Sequence, residues 1–204
     1  MRRNGLKSGL LFSTSLMTAA LGYGKKAYAA CTPDPFVPNA FLCSGVNAVP
    51  GNYTFGGSNV AVVVASPSVF FTFAADDQIS ITGDGNLFFE SQGTVILFSD
   101  LGVGVDILNN IANTPGSITV TTAFQAPTGP NNWRIEGDAA AIRAINNANG
   151  DINLTLNNRL IGEDAGVIAD HNGTGNITIT VGNAAVGLRT ARLPQLAWVS
   201  TTTP

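Results

Sequence analysis

The chain has 204 residues, of which 10 are Lys or Arg, 13 are Asp or Glu, and only 11% in total are charged. Five of the basic residues precede position 27, so residues 31–204 keep five arginines, no lysine and all 13 acids, a net charge of −8. This balance excludes nucleic acid and anionic membrane as favourable partners. The length that remains after residue 30, about 170 residues, is typical of one domain.

Residues 1–30 have the pattern of a cleavable signal peptide. Two arginines and a lysine stand within the first seven positions, and a short apolar run follows at residues 10–21. The run is too short to span a bilayer. Small residues then mark the cleavage region, namely Ala27, Ala29 and Ala30. We therefore predict export of the chain, to the cell surface or medium if a translocator is supplied and otherwise to the periplasm.

The route of export is left open by the leader. Arg2 and Arg3 resemble the start of a twin-arginine signal, but the Phe that usually follows is missing, so Sec export remains an alternative. Cys31 raises a lipoprotein alternative, which is disfavoured because Tyr28 stands where such signals have Leu. The export machinery is thus a partner that the leader predicts.

The only two cysteines, Cys31 and Cys43, follow the leader directly. In an exported chain such a pair is expected to form a disulfide. Closing a loop of this size contributes about 3 kcal/mol in the chain-entropy account. A metal pair is the weaker alternative, since no His or further Cys stands nearby. We predict a disulfide-closed N-terminal cap region over residues 31–57.

A series of apolar segments follows the cap, and turn residues separate them. Their near-continuous hydrophobicity is typical of strands that are buried in a parallel stack. Aromatic residues are common in these segments and absent from the later repeats, so we expect the first coils to be less regular. The predicted strands are residues 59–64, 68–73, 78–82, 86–89 and 94–98.

Residues 135–182 contain the same pattern twice, at a spacing of twenty-five positions. Gly137 corresponds to Gly162, and Ile152 corresponds to Ile177. Each copy contains a segment of alternating apolar and polar residues, which predicts a strand with one face inward. Tight turns rich in Asn and Gly follow the shorter strand of each copy. Two strands and their turns leave no room for an amphipathic helix.

The repeat predicts the fold class: all-β, a single-stranded parallel β-helix, or solenoid, preceded by the cleavable signal peptide. Coils are expected over residues 58–187, with each inward aliphatic residue stacked on its counterpart in the next coil. An older copy of the unit lies upstream at a larger offset, with Gly116 corresponding to Gly150. The extra residues fall at 125–132, which predicts an inserted loop. Residues 188–204 do not follow the pattern and predict an irregular tail.

Several of these features together resemble the passenger region of proteobacterial autotransporters. The features are the arginine-led leader, the cysteine-containing segments at residues 30–33 and 43–45, and the repeat segments at residues 150–155 and 167–180. The resemblance implies a right-handed parallel β-helix that is displayed outside the cell, often as an adhesin. The family's C-terminal translocator barrel is expected to be lacking here. The chain is similar to the first coils of a passenger, and stacking of its last coil on missing downstream coils is one interpretation.

Candidate chemical groups are few and scattered. The single histidine, His171, falls at the turn position of Asn146 and is expected to be a solvated turn residue. Two adjacent acidic pairs are expected to be solvated, because neighbours on a strand face opposite ways; the pairs are Asp76 with Asp77 and Glu163 with Asp164. A calcium turn at residues 83–86 is too short for a known calcium loop. We predict no catalytic, metal or cofactor site.

Two classes of function follow from this pattern. The first is a non-catalytic exported segment whose Thr- and Asn-rich surface serves adhesion or another surface interaction, with an unknown surface ligand or a host or matrix component as partner. The alternative is a polysaccharide-active β-helix enzyme, which needs clustered charges on one strand face. We predict that no enzyme is present, because Arg143 falls beside Ile168, Asp170 falls beside Ile145, and Arg159 does not recur. A truncated gene product without an independent function is a further alternative.

Overall fold

A computed structural model describes residues 30–46, 51–73, 75–123 and 134–182, together with the backbone of residues 197–201. The cleavage residues Ala27 and Ala29 and the predicted inserted loop at 125–132 lie outside the described residues, whereas Ala30 begins the first strand. Throughout the described ranges the regular elements are strands, and no helix occurs there. Consequently, no helix in these ranges is long and apolar enough to cross a membrane.

The strands are numbered in chain order. They are β1 (Ala30–Pro33), β2 (Ala40–Val46), β3 (Tyr53–Ser58), β4 (Ala61–Thr72), β5 (Ile79–Asp84), β6 (Leu87–Ser91), β7 (Val95–Ser99), β8 (Val103–Asn109), β9 (Ile118–Thr122), β10 (Arg134–Gly137), β11 (Ala140–Asn146), β12 (Ile152–Leu156), β13 (Arg159–Gly162), β14 (Ala165–His171), β15 (Ile177–Val181) and β16 (Ala197–Thr201).

The strands form two sheets. Sheet A has eleven strands, and its main path runs β13-β10-β7-β4-β6-β9-β12-β15-β16, with β2 also paired to β4 and β1 paired to β2. Sheet B has five strands in the order β14-β11-β8-β5-β3. All of these pairs are parallel except β1 with β2, which is antiparallel.

The spacing of the sequence repeat predicts the strand register correctly. Ile152 in β12 pairs with Ile177 in β15, and Ile142 in β11 pairs with Val167 in β14. In sheet A, Gly137 pairs with Gly162. The repeat therefore identifies neighbouring residues across three separate strand pairs.

The offset of the upstream copy, measured from Gly116 to Gly150, is correct for only part of the unit. Ile118 in β9 pairs with Ile152 in β12 at that same offset. Between β8 and β11, however, the offset is longer by three positions, since Ile107 pairs with Ala144. The difference arises because eight residues connect β8 to β9, whereas five connect β11 to β12.

The predicted single-stranded right-handed parallel β-helix is wrong as a description of the architecture. The structure has two layered parallel sheets, with a half-barrel, in place of the uniform coils that the repeat suggests. Sheet A is continuous through the long strand β4, whose first half pairs with β6 and whose second half pairs with β7. A sequence repeat indicates which residues are neighbours on adjacent strands, but that register does not determine how strands divide into sheets.

The hydrophobic core consists of columns of inward side chains that run from strand to strand. One column in sheet A contains five residues of successive strands, none more than 3% exposed: Val62, Phe89, Val120, Leu154 and Ile179. Inward and outward positions alternate along these strands, as expected for a sheet with one buried face. Burial of each large aliphatic side chain contributes roughly 1.5–3 kcal/mol.

The C-terminal segment differs from the irregular tail that we predicted. Ala197–Thr201 forms β16, which runs parallel to β15 with Ile177 opposite Ala197. The spacing at this pair is five positions shorter than that of the repeat, so the repeat pattern does not identify the strand. β15 therefore has a neighbour on both sides.

Candidate functional site

A group of three charged side chains, Asp77, Asp106 and Arg143, lies on the outer side of sheet B, and we call it the charge cluster. Arg143 donates from Nε and Nη2 to the two carboxylate oxygens of Asp106, both at 2.7 Å. Nη2 of Arg143 also lies 3.7 Å from Oδ2 of Asp77. The bidentate arrangement is the geometry in which a guanidinium and a carboxylate interact most strongly.

The backbone brings these three residues together from separate parts of the chain. Asp106 in β8 and Arg143 in β11 are register partners on neighbouring strands. Asp77 precedes β5, the next strand of the same sheet, and its Oδ1 accepts the backbone N–H of Val103 at 2.8 Å. The cluster therefore connects three successive strands of sheet B by side-chain contacts.

Partial burial shapes the electrostatics of the cluster. Desolvation raises the pKa of Asp77, and the neighbouring Asp106 carboxylate acts in the same direction, while the Val103 N–H and the Arg143 charge lower it. The hydrogen bond to Asp106 raises the pKa of Arg143, and burial opposes that effect. Arg143 is therefore a permanent cation between two carboxyl groups, and partial burial disfavours the charged form of one of them, Asp77.

The sequence did not reveal this cluster. The offset between Gly116 and Gly150 would place Arg143 beside Asn109, whereas the longer offset of the strand pair places it beside Asp106. The prediction that Arg143 stacks on Ile168 is confirmed. The prediction that Asp77 is solvated is wrong, because its side chain is only 22% exposed and contacts both Arg143 and Val103.

His171 is also placed differently from our expectation. It is the register partner of Asn146, as predicted, but it is only 4% exposed, so the prediction of a solvated turn residue is wrong. Its Nε2 lies 2.5 Å from the carbonyl oxygen of Gly150, and Nδ1 accepts the N–H of Gly173 at 3.1 Å. These partners assign Nε2 as the donor nitrogen and Nδ1 as the acceptor.

His171 is the last member of a buried polar ladder with Asn109 and Asn146. Both asparagines are 0% exposed, and each donates from Nδ2 to a glycine carbonyl in the turns below, Gly85 at 2.8 Å and Gly116 at 3.0 Å. Oδ1 of Asn146 accepts a turn N–H, whereas Oδ1 of Asn109 has no partner. The ladder satisfies backbone groups that the stacked turns would otherwise bury unpaired, which indicates a structural role.

The turns beside the ladder require glycine for space. A Cβ atom at Gly150 would lie 2.4 Å from the carbonyl oxygen of Gly116, and one at Gly175 would lie 2.3 Å from the carbonyl oxygen of Gly150. Neither carbonyl can move without disturbing the strands on both sides. The glycines that the repeat identified are therefore needed for close stacking of backbones.

The other predicted residues take simpler positions. Cys31 and Cys43 form the expected disulfide between β1 and β2. Glu163 and Asp164 are exposed, as predicted. Asp170 pairs in register with Ile145, also as predicted, although its Oδ1 is buried without a hydrogen-bond partner. The prediction that Arg159 does not recur is wrong, because its register partner on β10 is Arg134. Within the described ranges no group of three His, Cys, Asp or Glu side chains is arranged to hold a metal ion.

The outer side of sheet A carries an apolar patch, which we call the aromatic face. The patch consists of outward side chains of β4 and β7 and of Phe73, the residue directly after β4. Its members are Val69, Phe71, Phe73, Ile96 and Phe98. The ring centroid of Phe73 lies 5.4 Å from that of Phe71 and 6.3 Å from that of Phe98. Phe73 is 58% exposed, so this aromatic group is at the surface.

Comparisons of the chain with protein-family models, with curated proteins and with solved structures found no match.

Proposed function

We propose that this chain is an exported, non-catalytic interaction module that binds other molecules through the outer side of sheet A. The observation that carries the proposal is the aromatic face, where apolar rings stand at the surface of a chain that is otherwise low in charge and rich in Thr and Asn. Contiguous apolar groups on a protein surface are typical of interaction sites. A cell-surface or matrix component is the proposed partner.

Export is part of the same proposal, and the leader sequence and the disulfide support it. Disulfides persist in oxidising compartments outside the cytosol, and Cys31 and Cys43 lie directly after the predicted cleavage region. We include kinship with the passenger region of autotransporters in the proposal, on the sequence features described above.

The experiment combines location and binding. The full chain is expressed in a Gram-negative host, and the periplasm, outer membrane and medium are separated and probed for it. The processed chain is then purified with its disulfide intact and tested for adhesion to immobilised cells and extracellular matrix. Retention in the cytosol with an uncleaved leader, or failure to adhere to any surface, would contradict the proposal.

The charge cluster favours a second candidate function, a polysaccharide-active enzyme. It places two carboxyl groups against one arginine, and the environment shifts the pKa of Asp77 upward, as in acid–base pairs of hydrolases. Against this candidate, Asp106 and Arg143 already satisfy each other, and Asp77 accepts a backbone N–H. Release of reducing sugar ends from a polysaccharide panel, lost in Asp77→Asn, would establish the enzyme and reject the non-catalytic module.

A further inference from the structure

The aromatic face is bordered by three acidic residues, which we call the acidic row. They follow directly after β7, β10 and β13, and they are Asp100, Asp138 and Glu163. Parallel pairing aligns the ends of these strands, because Gly137 pairs with both Ser99 and Gly162. Phe73 occupies the equivalent position after β4, since Thr72 pairs with Ser99. The most exposed ring of the aromatic face and the acidic row therefore lie in one line across sheet A.

Backbone hydrogen bonds continue past the strand ends and hold this line together. The N–H of Asp100 donates to the carbonyl oxygen of Thr72 at 3.1 Å, and the N–H of Glu163 donates to that of Asp138 at 2.8 Å. Asp100 and Glu163 are exposed, and Asp138 is half-buried. None of the three carboxylates forms an ion pair with a residue that the structure describes. Like charges on neighbouring strands repel, so the row concentrates uncompensated negative charge beside apolar groups.

The arginines on this side of sheet A do not cancel the acidic row. Arg134 is already paired with Glu136. Arg159 is exposed and forms no ion pair within the described ranges, but it stands at the opposite end of β13 from Glu163. The two residues are about 13 Å apart along the strand, which is more than the Debye length of about 8 Å at physiological salt. The border next to Phe73 is therefore negative.

An apolar centre with a negative border determines the charge of the partner. The ligand must bring apolar groups to the rings and a positive charge to the row, because complementary potentials favour association. Anionic polymers and anionic membranes would be repelled. A second copy of the chain is a poor match, since residues 31–204 contain no lysine and Arg159 is the one arginine without an ion pair in the part that the structure describes.

The spacing and chemistry of the surface favour a polypeptide. Outward side chains along β4, such as Val69 and Phe71, recur roughly every 6.6 Å, and Phe73 continues the series. An extended segment has the same spacing between its own side chains on one side, so alternating apolar residues followed by Lys or Arg would match the rings and then the row. Val69 and Ile96 are aliphatic and suit apolar side chains, whereas a sugar packs on flat aromatic rings.

We propose that the aromatic face and the acidic row together bind a basic, amphipathic segment of a partner protein. The proposal deepens the interaction function proposed above and rests on it. The rings supply the packing surface, and the three carboxylates supply the contacts to Lys or Arg. The register places Phe73 beside Asp100, so the aliphatic stem of a lysine packs on the ring while its ammonium group meets the carboxylate.

The test measures binding of the disulfide-intact chain to labelled synthetic peptides by fluorescence anisotropy. The first peptide alternates leucine and lysine. Two reference peptides of the same length alternate leucine with glutamate and serine with lysine, so each lacks one of the two required features. The leucine–lysine peptide is expected to bind roughly tenfold tighter than either reference. Its binding should weaken as salt is added, because screening acts on exposed charges.

Variants of the chain test the two parts of the surface separately. Phe73→Ser is expected to weaken binding of the leucine–lysine peptide roughly tenfold, as for an aromatic contact at an interface centre. Glu163→Gln is expected to weaken it about 2- to 5-fold, the range for one exposed ion pair. The charge reversal Glu163→Lys should weaken it further and should strengthen binding of the leucine–glutamate peptide.

Leu42→Ser and Glu90→Gln are the matched controls, because both residues pair in register with Val63, in the first half of β4 and away from the rings. They should leave binding unchanged, and circular dichroism should show every variant folded. Equal binding of the three peptides, or insensitivity to both Phe73→Ser and Glu163→Lys, would overturn the proposal.

Other occupants of the surface give distinct results. Binding of chitosan, a cationic polysaccharide, without binding of the leucine–lysine peptide would reject a polypeptide partner. A dimer that Phe73→Ser dissolves, again without peptide binding, would assign the surface to a second copy and reject the proposal. Adhesion to cells or matrix that is insensitive to Phe73→Ser and Glu163→Lys would also reject it, while leaving the interaction function intact.

Discussion

Removing Arg143 tests whether the charge cluster holds neighbouring strands of sheet B together. The substitution Arg143→Gln leaves Asp106, which is only 8% exposed, without its bidentate partner. Breaking a buried ion pair in this way costs about 3–5 kcal/mol, whereas an exposed pair contributes about 0–1 kcal/mol. The side chain of Arg143 is 34% exposed, so we expect an intermediate loss of about 1.5–3 kcal/mol in the free energy of unfolding.

A double-mutant cycle separates the pair from other effects. Asp106→Asn removes the other charge of the pair, and the double variant removes both, so neither of these two charges is left without its partner. Asp77 keeps its hydrogen bond from the Val103 N–H in all three variants. We expect the double variant to be less destabilised than the sum of the single variants, with an interaction energy of about 1–2 kcal/mol. The assay is urea unfolding of the disulfide-intact chain at neutral pH, followed by far-ultraviolet circular dichroism.

Arg159→Gln is the matched control for this cycle, since it removes an exposed arginine that has no ion pair among the described residues. Its effect on the free energy of unfolding should remain within about 0.5 kcal/mol. Strict additivity of Arg143→Gln and Asp106→Asn, or an Arg143→Gln effect no larger than that of Arg159→Gln, would refute the reasoning.

Four further perturbations address other parts of the structure. Burial raises the pKa of Asp77, so the contribution of this carboxyl group to stability is complete at pH values below its unfolded pKa and is lost as the pH rises through its folded pKa. Asp77→Asn should therefore gain stability relative to the parent chain as the pH is raised from acid to neutral. A stability difference between the two chains that stays constant with pH in urea titrations would contradict this. Leu154→Ala should cost about 2–5 kcal/mol in urea unfolding, since the side chain is 1% exposed in the core column; a loss below about 1 kcal/mol would mean that the column is not tightly packed. His171→Asn, which places the ladder's own residue type at that position, should be milder in thermal unfolding than His171→Leu. The leucine variant should cost about 1–3 kcal/mol, because it removes the acceptor of the Gly173 N–H, whereas the Gly150 carbonyl keeps its hydrogen bond from Nδ2 of Asn146. The reverse order would reject the ladder. Reduction of the disulfide between Cys31 and Cys43 should lower stability by about 3 kcal/mol, measured with and without reductant, and an unchanged urea midpoint would oppose it.

The sequence predicts local register well, because the repeat and the alternation of side chains act through neighbouring strands. Ile152 and Ile177 are paired as expected, and their side chains are inward. The division of the strands into two layered sheets was not predicted, because it depends on β4. That strand is long and pairs with different strands along its two halves, which no periodicity in the sequence indicates.

The charge cluster and His171 show why site residues were harder to predict. Arg143 and Asp106 lie far apart in the chain, and a turn of different length conceals their register from an offset measured at the glycines. His171 stands where turn residues are usually solvated, but stacking of successive turns buries it. Its correspondence with Asn146 in the repeat was the available signal, because side chains that are buried between successive turns must replace lost water with hydrogen bonds.

The antiparallel pair of β1 and β2 in sheet A bears on how the chain avoids aggregation. β1 has four residues and ends in Pro33, and the disulfide joins it to the edge of β2. Short strands that contain proline are poor templates for another chain. Before the disulfide forms, only non-covalent contacts keep β1 on β2. If β1 detaches, the backbone N–H and C=O groups of β2 become available for pairing with a strand of another molecule. In the reduced chain, this edge of sheet A is therefore more open to pairing with another copy than it is once the disulfide has formed.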